Sequence, residues 1–305
     1  MKRQFDNLLL GSIELFCLAA EQGSFTAAAQ AAGITPAAVS RAMARLEARL
    51  GVKLFLRTTR QIRLTEGGQL YFERCRNALG QLQEAENVLG GIQSVPAGTL
   101  RISLPTTYGH FRVLPLLPAF LAEHPQIKVE VHLSNRNVDF ADEGFDLAIR
   151  ARAPVDSGLV ARKLEDAELV VVAAPAYLSQ RGNPDTPQAL ATHECIQFDL
   201  PSSGRQVPWL FQQGGQMIEW PTQGRYHCAE DLLGGITLAR HGAGLFQAYR
   251  FTVEADLQHG RLVEVLQPFG GCSRPFSLLY PHGRLAPLRV RAFVEFLLER
   301  LAPAG

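Results

Sequence analysis

The stretch ITPAAVSRAMARLEARLG, from Ile34 to Gly51, has the pattern of a single amphipathic helix. Thr35 is a residue type favoured at a helix N-cap, Pro36 suits the first helical position, and Gly51 suits the position just past the end. The face opposite the large apolar residues carries mainly small residues, so we predict a helix that another molecule can approach closely. Its large apolar residues recur at steps of four, three and four, at Val39, Met43, Leu46 and Leu50.

Two further helices are predicted before this one. The first runs from about Phe5 to Gln22 and ends at Gly23. Ser24 caps a short second helix. Alanines where the second and third helices cross, joined by a short turn, are typical of a helix-turn-helix. The apolar face of the second helix is predicted to be Phe25, Ala28, Ala29 and Ala32.

The segment VKLFLRTTRQIRLT, residues 52–65, predicts a small β-hairpin after the third helix. Two β-rich runs, Val52–Leu56 and Gln61–Leu64, flank a basic tip. A basic hairpin beside a helix-turn-helix is a wing that suits contacts to the DNA backbone or minor groove. The tip holds Arg57, Thr58, Thr59 and Arg60.

The small outer face of the third helix is explained if it enters the DNA major groove, which is about wide enough for one helix. Arg41 is then the candidate for a guanine edge or a phosphate, Ser40 for a phosphate, and Ala37 for a thymine methyl. For Arg45 and Arg49 a solvated surface is an equal alternative, because Glu47 lies between them. The candidate DNA contacts are Ser24, Thr26, Thr35, Pro36, Ala37, Ser40, Arg41, Arg45, Arg57, Thr58 and Arg60.

The charge distribution favours a polyanion partner for the N-terminal part alone. Of the 305 residues, 1–76 contain eleven Lys and Arg against six Asp and Glu, a charge of +5, while the rest carries −4. Five cysteines without a C-x-x-C pair favour a reducing compartment. Glu14 interrupts the apolar start that a signal peptide would need, and no apolar run reaches the ~18 residues of a membrane span. We therefore expect a cytoplasmic protein without a membrane partner.

Motifs for catalysis, cofactors and metals are not recognisable. The GAG at Gly242–Gly244 lacks the strand, turn and helix of a dinucleotide site. His227 beside Cys228 lacks two further ligands at metal spacing. No Ser or Cys lies in the context of an activated nucleophile. The expectation is a protein that is not an enzyme and holds no cofactor or metal.

The run SFTAAAQAAGITPAAVSRAMARLEARLGVKLFLRTTRQIRLTEGG resembles the winged helix-turn-helix of LysR-type transcriptional regulators. The chain departs from the family pattern at Gly33, where relatives have Leu, at Met43, where they have Ile, and at Pro36, where many have a base-reading Gln. The residues that carry the resemblance are Ala28-Ala29, Thr35, Ala38-Val39-Ser40, Leu46-Glu47, Leu50-Gly51, Leu54-Phe55 and Arg57.

From Thr65 the chain predicts a long helix with a seam of apolar residues. The seam steps alternate between four and three, the 3.5-residue repeat of a coiled coil. An amphipathic helix packed on its own domain is the alternative. The resemblance implies that two chains pair through this linker helix, followed by a hinge at 93–98. The seam residues are Tyr71, Cys75, Ala78, Leu82, Ala85, Leu89 and Ile92.

From Thr99 onward, predicted strands alternate with predicted helices, which indicates a doubly wound α/β domain. The resemblance implies a two-lobed, periplasmic-binding-protein-like effector domain with a cleft between the lobes. Helix N-termini facing such a cleft can bind small anions. By position, Thr107 and Ser134 match the hydroxyls with which relatives hold effector carboxylates, although plain helix capping is the alternative for each. The carboxylates of Glu230 and Asp231 are expected to cap the third such helix themselves, which would weaken it as an anion site. The candidate effector contacts are Pro105, Thr106, Thr107, Ser134, Asn135, Arg136, Cys228, Ala229 and Phe246.

The predicted organisation is a winged helix-turn-helix over 1–64, a linker helix over 65–92, a first lobe over 99–170 and 268–305, and a second lobe over 171–267. The predicted function is a sequence-specific transcriptional regulator that responds to a small molecule, an organic anion. The alternative is an architectural DNA-binding protein without a ligand, whose cleft would be filled by large side chains. The expected partners are a double-stranded DNA operator, the effector and a second copy of the chain. The resemblance further implies a tetramer and RNA polymerase as a candidate partner.

Overall fold

The structure is a computed structural model, and it describes residues 9–57, 62–89, 95–137, 140–151, 159–201, 203–281 and 287–301. The chain divides into two compact units, unit 1 up to Ser94 and unit 2 from Val95 onward.

Unit 1 is a helix-turn-helix with a two-stranded wing and a long final helix. Its elements are α1 (Leu10–Gln22), α2 (Phe25–Ala31), α3 (Pro36–Leu50), β1 (Phe55–Arg57), β2 (Ile62–Leu64) and α4 (Glu66–Leu89). Strands β1 and β2 pair antiparallel, with Phe55 opposite Leu64. One apolar core fills the space between α1, α2, α3, the wing and the start of α4. Its largest fully buried side chains are Phe16, Met43, Leu46 and Leu54.

The helix ends in unit 1 follow the capping residues. The Ser24 hydroxyl accepts a hydrogen bond from the Ala27 N–H, and the Thr35 hydroxyl accepts one from the Ala38 N–H, each at 3.3 Å. Gly51 adopts the left-handed conformation, φ 71°, that ends α3. These side chains satisfy N–H groups that the first helical turn leaves without an internal partner.

Three predictions for unit 1 need correction. The first helix begins at Leu10, since Leu9 has non-helical dihedrals and residues 5–8 lie outside the described part of the chain. Ala32 is exposed, because α2 ends one residue earlier. The first wing strand begins at Phe55, not at Val52, and it includes Arg57, which was predicted to lie in the tip. The wing tip, 58–61, lies outside the described residues.

Unit 2 is an α/β domain. Its strands are β3 (Gly98–Leu104), β4 (Ile127–Leu133), β5 (Leu147–Arg150), β6 (Leu159–Ala173), β7 (Gln197–Asp199), β8 (Trp209–Gln213), β9 (Gln216–Trp220), β10 (His227–Ala229), β11 (Phe246–Tyr249), β12 (Val263–Val265) and β13 (Ser273–Pro281). Its α-helices are α5 (Thr106–Tyr108), α6 (Leu117–Glu123), α7 (Phe140–Glu143), α8 (Pro175–Arg181), α9 (Leu232–Arg240), α10 (Arg250–Gln258) and α11 (Leu288–Leu301).

Unit 2 has a seven-stranded sheet, in which six strands pair in the order β11-β6-β13-β5-β3-β4 and β12 pairs with β6 off this path. Strand β3 is parallel to β4 and β5, whereas β13 is antiparallel to β5 and β6. Strand β6 changes partners after Glu168, from β13 to β11 and β12. This change divides unit 2 into lobe 1, built on β3–β5, and lobe 2, built on β7–β12, with β6 and β13 running between them.

The helix predicted after the first strand of lobe 1 is a composite of three helix types. After α5 come a π-helical turn, Gly109–Val113, and a 3₁₀ turn, Leu114–Leu116, before α6. Pro115 and Pro118 have no N–H to donate, which prevents one regular α-helical ladder. The irregular part follows directly on Thr107, at the carboxyl end of β3.

Candidate functional site

The outer face of α3 carries the residues predicted to reach DNA. Pro36, Ala37, Arg41 and Arg45 are exposed, and Ser40 is half-buried. The opposite face packs into the unit 1 core through Val39, Ala42, Met43 and Leu46. Of the remaining candidates, Ser24 is half-buried as the α2 cap, while Thr26 and Thr35 are exposed. The Arg57 side chain, Thr58 and Arg60 lie outside the described part.

Glu47 connects α3 to the wing. Its carboxylate is 4% exposed and accepts hydrogen bonds from the Leu54 N–H at 3.0 Å and the Phe55 N–H at 3.3 Å. Lys53 donates to its second oxygen at 2.7 Å. Burial by itself raises the pKa of Glu47, but the bonds from Lys53, Leu54 and Phe55 outweigh it and hold the pKa below the ordinary value. These hydrogen bonds therefore hold the segment between α3 and β1 against Glu47 of α3.

The first turns of α4 belong to the unit 1 core, which corrects part of the predicted seam. Cys75 is buried, and the Tyr71 ring lies 5.5 Å from the Phe16 ring, centroid to centroid. Cys75 is therefore not available to a second chain, and Tyr71, which is half-buried, is partly used by the unit 1 core. Ala78 is exposed and Leu82 is 53% exposed. The side chains of Ala85 and Leu89, and Ile92 as a whole, lie outside the described residues.

A cavity of about 590 Å³ lies between the two lobes of unit 2. Of the predicted effector contacts, Pro105, Thr107, Asn135 and Phe246 line it. Its wall further includes Arg150 from lobe 1 and a group of large apolar side chains, among them Leu169, Phe198, Trp209, Ile236 and Phe276. A cavity of this size fits a small organic molecule.

Five predicted effector contacts do not line the cavity. The Ser134 hydroxyl accepts from the Arg136 N–H at 3.4 Å, and the Arg136 guanidinium pairs with Glu143 at 2.9 Å. Thr106 bonds to the Asn135 side chain instead of facing the cavity. Cys228 is half-buried in lobe 2, and Ala229 is exposed beside it. A position after a strand thus does not ensure that a side chain faces the cleft, because side-chain direction alternates along an extended chain.

Thr107 and Arg150 are buried polar groups with unused hydrogen-bonding capacity in this wall. Thr107 is 1% exposed and its hydroxyl has no partner among the described residues; the same holds for Nε of Arg150, which is 6% exposed. Arg150 donates from Nη2 to the Ser103 hydroxyl at 2.7 Å and from Nη1 to the Ser103 carbonyl at 3.1 Å. Thr107 follows β3, and Arg150 is the last residue of β5, the parallel neighbour of β3. Both residues therefore lie at the carboxyl edge of the sheet, where open α/β sheets bind ligands.

Sequence reasoning did not single out Arg150. The available signal was an arginine at the end of the otherwise apolar strand LAIR. Charged side chains are seldom fully buried unless paired, so an arginine in such a run is informative.

Asn135 bridges the two lobes beside the cavity. Its Oδ1 accepts from the Thr106 N–H at 3.2 Å, and its Nδ2 donates to the Glu230 carbonyl of lobe 2. Glu230 has φ 67°, a conformation unusual for a residue with a side chain. Asp231 caps α9 by accepting from the Leu233 N–H at 3.0 Å, so a carboxylate of the chain already occupies this helix end.

The described residues contain no group of three or more His, Cys, Asp and Glu placed to hold a metal ion. No helix within them is long and apolar enough to span a membrane. Burial raises the pKa of the Cys228 thiol, with Asp199 and Asp231 adding to the effect, so the reactive thiolate is disfavoured there.

Comparison with known families covers both units. Residues 10–69 match the family model described as bacterial regulatory helix-turn-helix protein, lysR family. Residues 93–302 match the family model described as LysR substrate binding domain.

Curated relatives and solved structures agree with this over the full length. The chain is 36% identical over 295 residues to the probable transcriptional regulator LtrA of Klebsiella pneumoniae, covering 95% of this chain and 94% of that one. It is 35% identical to the regulator PtxR of Pseudomonas aeruginosa, covering 98% and 95%. The structure of CrgA, a LysR-type regulator from Neisseria meningitidis, matches with TM-score 0.62 at 31% identity, covering 95% and 98%.

Proposed function

Since the chain belongs to the LysR family of transcriptional regulators, we propose that it binds a specific operator through α3 and the wing and responds to a small organic anion held between the lobes of unit 2. The observation that supports DNA recognition is the exposed face of α3, where small side chains flank Arg41. A face of this kind can approach base edges closely, and arginine is the commonest reader of guanine.

The experiment measures binding of the full-length protein to the intergenic region beside its own gene, by footprinting and fluorescence anisotropy. Arg41→Ala is expected to weaken specific binding by about 1–3 kcal/mol and to change preference at one half-site position. Arg291→Ala, an exposed arginine on α11 of unit 2, is the matched control. An Arg41→Ala protein with the operator affinity of the control would contradict the recognition role.

The observation that supports an effector is the cavity itself. An architectural protein without a ligand would have its cleft filled by large side chains, but a cavity of about 590 Å³ lies between the lobes. The Thr107 hydroxyl, buried and unpartnered within the described chain, gives this space a polar wall. We therefore favour a ligand-responsive regulator over the architectural alternative.

The proposal also includes assembly. The exposed side chains of Ala78 and Leu82 continue the coiled-coil spacing beyond the part of α4 used by the unit 1 core. Pairing of two chains there would place two α3 helices on one operator with two half-sites. A tetramer built from two such dimers, in the cytoplasm, is part of the same proposal.

A further inference from the structure

Arg150 presents a buried positive charge to the cavity between the lobes. It is 6% exposed, and its hydrogen bonds go to the Ser103 hydroxyl and to main-chain carbonyls. Within the described part of the chain, no carboxylate lies within ion-pair distance of it. A buried charge without a counter-ion is costly, by several kcal/mol even after the surroundings relax.

The guanidinium remains charged at neutral pH. Burial, together with the nearby charge of Arg136, lowers its pKa to about 10, while Glu143 acts in the opposite direction. The contacts with Ser103 use both terminal nitrogens and hold the planar group in one orientation. The Nε–H has no acceptor among the described residues.

The Thr107 hydroxyl lies in the wall of the same cavity and is likewise buried without a partner in the described chain. A hydroxyl and a guanidinium N–H can both donate to one carboxylate, and such charge-assisted bonds are the stronger ones. The two unused groups therefore fit a single anionic group of the ligand.

Apart from Thr252, the other buried residues of the wall are apolar, and several are aromatic. Trp209, Phe246 and Phe276 are each at most 3% exposed. The Phe246 ring lies directly against Gly235 of α9, where an added Cβ would be 2.5–2.8 Å from three ring carbons. Aromatic walls favour flat, apolar ligands through stacked and edge-to-face contacts. The remaining charged lining residues are Arg205, Glu219 and Arg274, which have mixed signs.

Resting on the proposed function, we infer that the effector is an aromatic monocarboxylate whose carboxylate binds Arg150 and Thr107 while its ring system fills the space beside Trp209, Phe246 and Phe276. The distinguishing claim is that one anionic group and one flat apolar body are both required. A dicarboxylate would place its second charge against the apolar wall, and a neutral amide would leave Arg150 without a counter-ion.

The test is a thermal-unfolding screen of the full-length protein with millimolar benzoate, phenylacetate, indole-3-acetate and 2-naphthoate. The matched carboxamides and the dicarboxylates succinate and muconate are the comparison set. At least one aromatic monocarboxylate is expected to raise the unfolding temperature, and its carboxamide is not. Stabilisation by none of the four, or equal stabilisation by the carboxamide or by a dicarboxylate, would overturn the inference.

Variants then test whether Arg150 and Thr107 bind the carboxylate of the ligand. Arg150→Met is expected to fold with an unchanged or higher unfolding temperature, because it removes an uncompensated buried charge, and to weaken binding of the aromatic carboxylate about 10- to 100-fold. Thr107→Val is expected to weaken it about tenfold. Arg162→Met, which removes an exposed arginine of β6, serves as the matched control. If Arg150→Met is too unstable to measure, Arg150→Lys and Thr107→Val carry the test, and unchanged affinity in both would overturn the anchor.

Measurements of operator binding distinguish a failure of this inference from a failure of the proposed function. Ligand-free protein that binds its operator through Arg41 and is released or tightened by a compound other than an aromatic monocarboxylate would overturn this inference and leave the proposed function standing. Protein that binds no operator under any condition would overturn the proposed function itself.

Discussion

At the residue scale, Glu47 is a charged side chain in an apolar core, and the chain uses its carboxylate to begin the wing. The carboxylate accepts hydrogen bonds from the main-chain N–H groups of Leu54, which lies between α3 and β1, and of Phe55, the first residue of β1. Without it these donors would be buried and unsatisfied, which costs roughly 1–3 kcal/mol for a group left unpaired. The acid is thus part of the local fold of the DNA-binding unit.

We expect Glu47→Gln to destabilise the junction between α3 and the wing by about 1–3 kcal/mol at neutral pH. The folded-state pKa of Glu47 is lowered, so this stabilisation is present above the unfolded-state pKa, near 4.5, and is lost as the pH falls through the folded-state value. The difference between wild type and variant should therefore shrink in acid. Hydrogen exchange at the Leu54 and Phe55 amides of the full-length protein measures it.

Two controls accompany the Glu47 measurement. Glu14→Gln changes an exposed acid of α1 and should leave exchange at the two amides as in wild type. Both tryptophans of the chain, Trp209 and Trp220, lie in unit 2, so their fluorescence reports whether that unit is intact. Equal exchange in Glu47→Gln and wild type at neutral pH would contradict the role given to Glu47.

At the element scale, the start of α4 is held by contacts between its first turn and the segment that follows α3. The Thr65 hydroxyl accepts from the Gly68 N–H at 2.9 Å and donates to the Lys53 carbonyl at 2.7 Å. Gly68 lies against the Leu54 main chain so closely that a Cβ would overlap the Leu54 carbonyl. Gly67 next to it has open space, with the Thr65 hydroxyl 4.0 Å from its Cβ position.

We predict opposite effects for alanine at these adjacent glycines. Gly68→Ala should destabilise unit 1 by about 1–3 kcal/mol, because a backbone atom must move to admit the methyl group. Gly67→Ala should stabilise it by about 0.5–1 kcal/mol, because alanine is the better helix former and meets no obstacle. Thermal unfolding of both variants, followed by circular dichroism, makes the comparison. A Gly68→Ala variant as stable as Gly67→Ala would show that the contact is not tight.

At the scale of the whole molecule, α4 has two functions along its length. Tyr71 and Cys75 complete the unit 1 core, whereas Ala78 and Leu82 face solvent in the single chain. The regular seam spacing thus serves an internal core first and an exposed surface afterwards. Leu82, 53% exposed, is the large apolar side chain on that surface whose position continues the seam.

We expect Leu82→Glu to dissociate the dimer, because a two-fold axis would bring two like charges together in an apolar contact. Leu70→Glu is the control, since Leu70 is 58% exposed on the same helix but lies outside the seam. Light scattering coupled to size-exclusion chromatography gives the mass of each variant. Should Leu82→Glu remain a dimer, the seam beyond Cys75 is not the pairing surface.

The family, the helix-turn-helix and the alternating strands of unit 2 could be determined from the sequence because their signals are local. Ser24, Thr35 and Gly51 act on main-chain groups within three or four residues, so a cap read from the sequence is a cap in the structure. The strand β3 and the helical run after it follow from periodicity of the same short range.

Which side chains lie in a core, on the surface or in the cavity wall could be determined only from the tertiary structure. Tyr71 and Leu82 occupy equivalent positions in one repeat, and only packing against Phe16 assigns the first to the core. Ser134 follows a strand as Thr107 does, yet it bonds to Arg136 while Thr107 faces the cavity. Arg150 becomes part of the site because β5 lies beside β3, 47 residues earlier at Ser103. Such neighbours are set by the order of strands in a sheet, a non-local property that spacing along the chain does not encode.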